Sequence, residues 1–347
     1  VAPDFDGRRA VLRGLASLAC VDLTGLVLAR EPEAGLAAAL YADAGLARYG
    51  FPKGHPLGSD RQGAFLGQAR QQGLLDKVSM RSSRMATREE IRRFHTDAHI
   101  DKVAGAERAG LEFLDNGDTP VFPDVFEASA LVVGAALDGL SRVMRGKFQR
   151  CLQPVGGLHH AGRNHAAGFC VFNDLGVVIE TLRSTYRIER VAYIDIDVHH
   201  GDGIYYAYEN DANLIFADVH EDGRSLYPGT GRAEETGRGP AKGTKLNIPL
   251  KAGSGDAEFA AAWPRVVMHL EKFAPEFIIF QCGADGLKGD PLAHLNYSPA
   301  THALAAQGLR KIADRFASGR VMAFGGGGYD RNNLGQAWCA VLREWIA

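Results

Sequence analysis

The sequence has no uninterrupted apolar run near the roughly 18 residues that a membrane-crossing helix requires, and no block of charge of one sign. The first absence leaves no candidate for helical membrane insertion. The second, with 39 Lys and Arg against 41 Asp and Glu and a formal charge of -2, leaves nothing that draws the chain to nucleic acid by charge alone. Cysteine is scarce. Cys20, Cys151, Cys170, Cys282 and Cys339 are odd in number and widely spaced, which excludes a complete disulfide framework and reads as reduced, buried thiols. Residues 1–30 lack the basic start, apolar core and cleavage pattern of a secretory signal, so a cytoplasmic setting is expected. No repeat, linker or low-complexity stretch divides the chain. Its 347 residues, 46% hydrophobic and 23% charged, are ordinary for a folded soluble protein; length leaves one or two domains open, and one is the simpler reading.

What is present is an alternation of short β-branched runs with longer helical periodicities, the pattern of an α/β protein with an open, mostly parallel sheet covered by helices on both faces. Strands are predicted near 151–155, 191–198, 213–219, 277–281 and 321–324, and helices near 174–186, 259–273 and 299–317. Ser298 before Pro299 marks one helix start, and Thr87 with Glu90 has the spacing of a capping box. The glycine-rich charged stretch 229–243 reads as one long surface loop. The richest polar sequences follow the strands: GGLHH, HHGDG, CGADG and GGGGYD. Since the carboxyl ends of parallel strands face a common crevice, these four distant loops are expected to converge.

The densest chemical signal is the run from Asp195 to Gly203, DIDVHHGDG. On an extended strand residues 195, 197 and 199 share a side while Ile196 and Val198 face the packing. Asp197 and His199 then reach one point, and Asp285, after the 277–281 strand, supplies a third ligand. An Asp, His, Asp set with open positions suits a catalytic metal, and its imidazole favours Zn2+, with Fe2+ or Co2+ able to take its place. Alone, Asp-x-Asp at a strand end equally suits magnesium or simple capping. His159 and His160 have the ordinary near-neutral pKa of a proton-transfer pair, with Asp195 and Asp202 available as carboxylates behind His159 and His160 respectively. The bland reading of that dipeptide is a structural or surface pair. Tyr329 follows four glycines and is placed to donate a hydrogen bond to a developing oxyanion, or else is a core tyrosine after a turn; the loop is not a nucleotide-phosphate loop, because Gly-Lys-Ser/Thr is missing. Gly168 with Phe169, and Tyr227 beside Pro228 and Gly229, are candidate walls for a slender acyl-amine chain or ordinary core aromatics.

Taken together, GGLHHA (156–161), GFCVFND (168–174), DIDVHHGDG (195–203), YPGTG (227–231), CGADGLKGDPL (282–292) and GGGGYD (325–330) closely resemble the histone deacetylase superfamily, particularly its bacterial acetoin-utilisation-like members. The resemblance runs over residues 40–347, a single deacetylase-like catalytic domain, and leaves 1–39 as an N-terminal extension. It implies the arginase-deacetylase fold, zinc at Asp197, His199 and Asp285, and Tyr329 over the substrate carbonyl. It also implies that Phe169, Tyr227, Leu292 and Gly168 line the substrate tunnel and that Arg61 stands near the inner end. The family commonly holds a potassium ion through backbone carbonyls around Asp195, Asp197 and His199 and a serine hydroxyl, and here the serine position is Asp218. The implied function is deacetylation of acetyl-lysine in a protein or peptide, or of a small acylated amine. An acetylpolyamine amidohydrolase is the nearest alternative, and a non-catalytic acyl-amine binding protein is the alternative of another class. A guanidine hydrolase fits less well, since paired histidines and Tyr329 suit single-metal amide hydrolysis.

Overall fold

The computed structural model describes residues 36–52 and 54–347. Residues 1–35 of the expected extension, Cys20 among them, lie outside the described residues, while Ala38 and Ala39 belong to the first strand. Eight strands form one sheet: β1 (Ala38–Tyr41), β2 (Ser79–Arg81), β3 (Arg150–Gln153), β4 (Val191–Asp195), β5 (Leu214–Glu221), β6 (Lys245–Leu250), β7 (Phe277–Gln281) and β8 (Val321–Phe324). Their order is β2-β1-β3-β8-β7-β4-β5-β6, and every pairing among them is parallel. The α/β parallel sheet expected from the sequence is therefore present.

Nine helices of the described residues accompany it: α1 (Arg61–Gln71), α2 (Arg88–Ile91), α3 (Asp97–Gly105), α4 (Val125–Met144), α5 (Asp174–Tyr186), α6 (Asp202–Ala207), α7 (Asp256–Phe273), α8 (Pro299–Phe316) and α9 (Arg331–Ile346). None is long and apolar enough to cross a membrane. Ser298 caps α8 through the Ala300 N–H, and Thr87 and Glu90 close a reciprocal capping box at α2.

The two-residue period of a strand sends alternate side chains to opposite faces, and the core divides accordingly. Tyr193, Phe216, Ile279 and Phe324 join α4 and α5 residues such as Val133, Leu140 and Ile179 in one cluster. Ile194, Ile215, Phe280 and Ala323 join Phe65 of α1, Trp263 of α7, Leu309 of α8 and Trp338 of α9 in the other. Each fully buried large apolar side chain contributes roughly 1.5–3 kcal/mol, so both faces of the sheet are strongly anchored.

Two boundaries and three strands set the structure apart from the sequence reading. β4 ends at Asp195 rather than 198, because 196–200 bend out of the ladder, although Ile196 and Val198 remain buried. α7 begins at Asp256, where Glu258 bonds back to the Gly255 N–H. Strands β1, β2 and β6 carry no alternation strong enough to be read; β1 is four residues, AALY, made a strand by pairing on both sides. The 229–243 stretch is largely exposed, with one 3-10 turn at Gly239–Ala241.

Candidate metal centre and its pocket

Strands β3, β8, β7 and β4 are consecutive neighbours, so the loops leaving their carboxyl ends share one rim. From β4 come Asp197 and His199, and from β7 comes Asp285. One ligand atom from each lies within 4.8 Å of the others, and all three side chains are buried. His199 Nδ1 stands 3.1 Å from Asp197 Oδ1 and 3.2 Å from Asp285 Oδ2. The remaining oxygens are committed elsewhere: Asp197 Oδ2 accepts from Gln281 Nε2 and the Gly327 N–H, both at 2.8 Å, and Asp285 Oδ1 accepts from the Val198 N–H at 3.0 Å. Asp285 Oδ2, buried and pointed at the imidazole, has no hydrogen-bond partner.

The electrostatics carry the same message. Burial and the neighbouring Asp197 push the Asp285 carboxyl up to about 6. Burial lowers the pKa of the His199 imidazole, but the Asp197 and Asp285 carboxylates beside it outweigh that and bring it to about 10. Two carboxylates and a ring that gather this tightly demand positive charge among them, and a divalent cation with oxygen and nitrogen preferences meets that demand. The residues fit a catalytic metal.

The GGLHH loop after β3 is fixed from below. The Asp174 carboxylate, at the start of α5, accepts the Gly157 and Leu158 N–H groups, each at 2.9 Å. This presents His159 and His160 with their Nε2 atoms 3.1 Å apart and with separate carboxylates behind them: His159 Nδ1 is 2.8 Å from Asp195 Oδ2, and His160 Nδ1 is 2.7 Å from Asp202 Oδ1. Burial and His159 lower the pKa of the His160 ring, with Asp202 partly opposing them. Burial raises that of Asp202, but the His160 ring prevails and holds it below the usual carboxylate range. Asp195, buried beside Asp218 and Asp197 and bonded to the Tyr193 hydroxyl, is pushed well up.

The glycine loop after β8 runs against the acidic cluster. A Cβ on Gly327 would meet Asp285 Oδ2 at 1.9 Å, so only glycine lets the backbone N–H reach Asp197. Tyr329 follows, its backbone N–H held at 2.8 Å by Asp290. Burial, then Asp285 and Asp197, push its phenol well above its ordinary value, keeping it a hydrogen-bond donor. Arg61 lies behind this loop, donating from Nε to Gly328 O at 2.9 Å and from its guanidinium to Gly326 O at 2.6 Å.

Two chambers lead to the cluster. The inner one, about 20 Å³, touches Asp197, His159, His160, His199 and Tyr329 and has room for about one water. The outer one, about 200 Å³, is walled by Gly168, Phe169, Tyr227, Leu292 and Tyr329. Gly168, at φ +51°, has no room for a side chain because a Cβ would meet the His160 ring at 2.6 Å. Phe169 is held in the left-handed region by Tyr49, whose hydroxyl donates to its carbonyl, and by Thr119, which accepts its N–H. Tyr227, 41% exposed, stands 5.1 Å ring to ring from His160.

Asp218 is near Asp195 but already engaged: Oδ2 accepts the Gly201 N–H at 2.9 Å and Oδ1 pairs with His220 Nδ1 at 2.6 Å. Among the described residues no backbone N–H bonds to the carbonyls of Asp197 or His199, a feature that suits a monovalent cation. Four other histidines lie outside this cluster: His95 is buried in the core and His55 packs on Phe51 and Phe169; His165 lines a side pocket beside His160, and His294 pairs with Glu221. Sequence reasoning missed Gln281, Asp174 and Asp118, the one carboxylate among the residues lining the outer chamber. Gln281 was legible as the lone polar residue ending FIIFQ; the other two had no local signal.

Comparison with known proteins gives a consistent result. The histone deacetylase domain profile matches residues 55–345. The acetoin utilization protein AcuC of Bacillus subtilis is 35% identical over 305 residues, covering 86% of this chain and 77% of that protein. The histone deacetylase RPD3 of Saccharomyces cerevisiae is 33% identical over 311 residues, covering 87% of this chain and 70% of that protein. The crystal structure of the HDA15 HD domain superimposes with a TM-score of 0.83 at 26% identity, covering 89% and 88% of the two chains.

Proposed function

The chain belongs to the histone deacetylase family, and from that premise we propose that it is a zinc-dependent amidohydrolase releasing acetate and a free amine from acetyl-lysine side chains or related acylated amines. The observation that carries this reading is the pair of imidazole Nε2 atoms 3.1 Å apart, each ring backed by its own carboxylate, beside a buried Asp, His, Asp cluster.

Asp197, His199 and Asp285 would hold the metal, which when bound supplies Lewis acidity toward a carbonyl oxygen and a lowered pKa for water. Zn2+ suits this donor set, and Fe2+ or Co2+ would use the same atoms. The chain's own residues handle the protons. His160 Nε2, its far nitrogen held by Asp202, accepts a proton from the attacking water, with His159 and Asp195 sharing the charge. Tyr329 donates its phenolic hydrogen bond to the tetrahedral oxyanion. The histidine pair returns a proton to the departing nitrogen, the C–N bond breaks, and acetate and amine separate. Phe169, Tyr227, Leu292 and Gly168 confine the acyl-amine stem, while Arg61 keeps the glycine loop against the cluster.

A structural potassium ion between the Asp195–His199 carbonyls and Asp218 is part of the proposal, supported by the Asp197 and His199 carbonyls, which have no backbone partner among the described residues. Four free buried thiols favour a reducing, cytoplasmic setting for residues 40–347 as one catalytic domain. An acetylpolyamine is the second substrate reading, favoured by Asp118 and Asp115, whose charges both act on Tyr227 at the mouth and would attract a cationic amine. The test is a screen of metal-reconstituted protein against acetyl-lysine peptides, acetylpolyamines and longer acyl-lysines, read by released amine. Turnover of one class is expected; no turnover of any would leave a non-catalytic binding protein.

A further inference from the structure

Glu221 ends β5, and its carboxylate is buried although it belongs to neither the metal cluster nor the histidine pair. Oε1 stands 2.9 Å from both the Ser225 hydroxyl and His294 Nδ1, and Oε2 accepts the His294 backbone N–H at 2.9 Å. The Ser225 hydroxyl divides its hydrogen between this oxygen and Asp222 O, also at 2.9 Å. Among the described residues no lysine or arginine pairs with Glu221, so these N–H and O–H groups offset the burial of the carboxylate. They come from two segments that wall the outer chamber. Ser225 stands two residues before Tyr227, and His294 two residues after Leu292. The Glu221 backbone N–H bonds Val198 O, which fixes the carboxylate to the loop between Asp197 and His199. Phe169, from a third segment, is held separately by Tyr49 and Thr119.

We propose that Glu221 is a positioning residue that sets the width of the outer chamber: it ties the Tyr227 and Leu292 segments to the end of β5 and so determines how bulky an amine stem the site admits. The inference rests on the reading of that chamber as the channel for an acylated amine. Glu221, Ser225 and His294 line neither chamber, so they act on a substrate only through the walls they hold. Because one carboxylate serves both segments, the two walls are coupled, and loosening it releases them together.

The test compares the metal-loaded wild-type protein with Glu221→Gln, which keeps the side chain's size but turns one acceptor oxygen into a donor facing other donors. Amide hydrogen exchange should quicken about tenfold or more in residues 224–230 and 292–295 together, and stay unchanged at 168–170. Metal content stays at the wild-type level. The ratio of kcat/KM for an acetylated linear alkylamine to that for N-acetylbenzylamine, whose stem is broader, should fall about fivefold or more. For the linear substrate KM rises by a larger factor than kcat falls. Exchange that quickens in only one of the two segments, or an unchanged ratio, overturns the proposal. If the wild-type protein hydrolyses no acylated amine, the functional reading fails, and exchange, which needs no turnover, still decides whether Glu221 holds both walls. If Glu221→Gln does not fold, Ser225→Ala and His294→Ala, both at exposed positions, replace it. Each should loosen its own segment and lower the same ratio, and two variants with wild-type exchange and ratio refute the tie.

Discussion

Two groups of buried histidines stand near one another in this protein and behave differently. His95 and His99, 5.1 Å apart ring to ring, are partnered by backbone: His95 accepts the Asn173 N–H, and His99 Nε2 bonds Val171 O. His159, His160 and His199 are buried as well, yet each faces a carboxylate. Burial alone lowers a histidine's pKa, and it brings His99 to about 4, a neutral ring that fills space and ties loops. A carboxylate behind the ring restores basicity and fixes the tautomer, and His199 between two carboxylates is driven the other way, to about 10. What separates a packing histidine from a working one is its partner rather than its depth.

The comparison breaks most visibly at the cluster. Replacing Asp285 with Ala removes the oxygen that faces His199, and we expect metal content and turnover both to collapse, the rate by about a thousand-fold or more; metal analysis with single-turnover kinetics checks this, and a fully active, metal-loaded variant would sink the assignment of ligands. Tyr329→Phe should keep its metal and lose about 10²–10³ in kcat, the cost of one oxyanion donor. Near-normal kcat in that variant would remove Tyr329 from the chemistry.

Asp202→Asn sharpens the distinction, since it converts the His160 partner to a neutral one. Turnover should fall about 10- to 100-fold. Because Asp202 raises the His160 pKa, the acid limb of the pH–rate profile should also move to lower pH; an unmoved limb would assign that limb to another group.

The smallest effect tests the packing pair. His99 is neutral in the fold, with its pKa depressed from 6.5 to about 4, so the unfolded chain binds more protons between those values. Its contribution is present in full above about 6.5 and is lost as pH falls through that window, by up to about 3 kcal/mol. His99→Leu should therefore show a shallower fall in unfolding free energy from neutral to acid pH, with turnover within a few-fold of wild type. A denaturant series at several pH values reads this directly, and an unchanged slope would show that His99 is not the titrating group.

Legibility in the sequence followed locality. Ser298 with Pro299 and Thr87 with Glu90 could be read because a cap is made by residues within a few positions of each other. The strands that carry the site stood out because, buried on both faces, they are nearly continuous apolar runs. AALY at β1 could not be read as a strand, since its pairing with β2 and β3 spans long stretches of chain. Asp174 is one carboxylate among many until it accepts two N–H groups from the histidine loop, and Lys245 looks like any edge-strand lysine until its ammonium meets three oxygens.

The sequence by itself determined the kinds of chemistry available: two adjacent imidazoles, the alternating carboxylate and imidazole of DIDVHH, and a glycine run ahead of a tyrosine are properties of residue type and spacing. Only the tertiary structure decided which of these meet. The order β3-β8-β7-β4 sets four remote loops on one rim, and burial on both sides of the sheet excludes the water that would otherwise screen their charges. Position in the fold, through desolvation and the choice of partner, then gives chemically identical histidines and aspartates different protonation states.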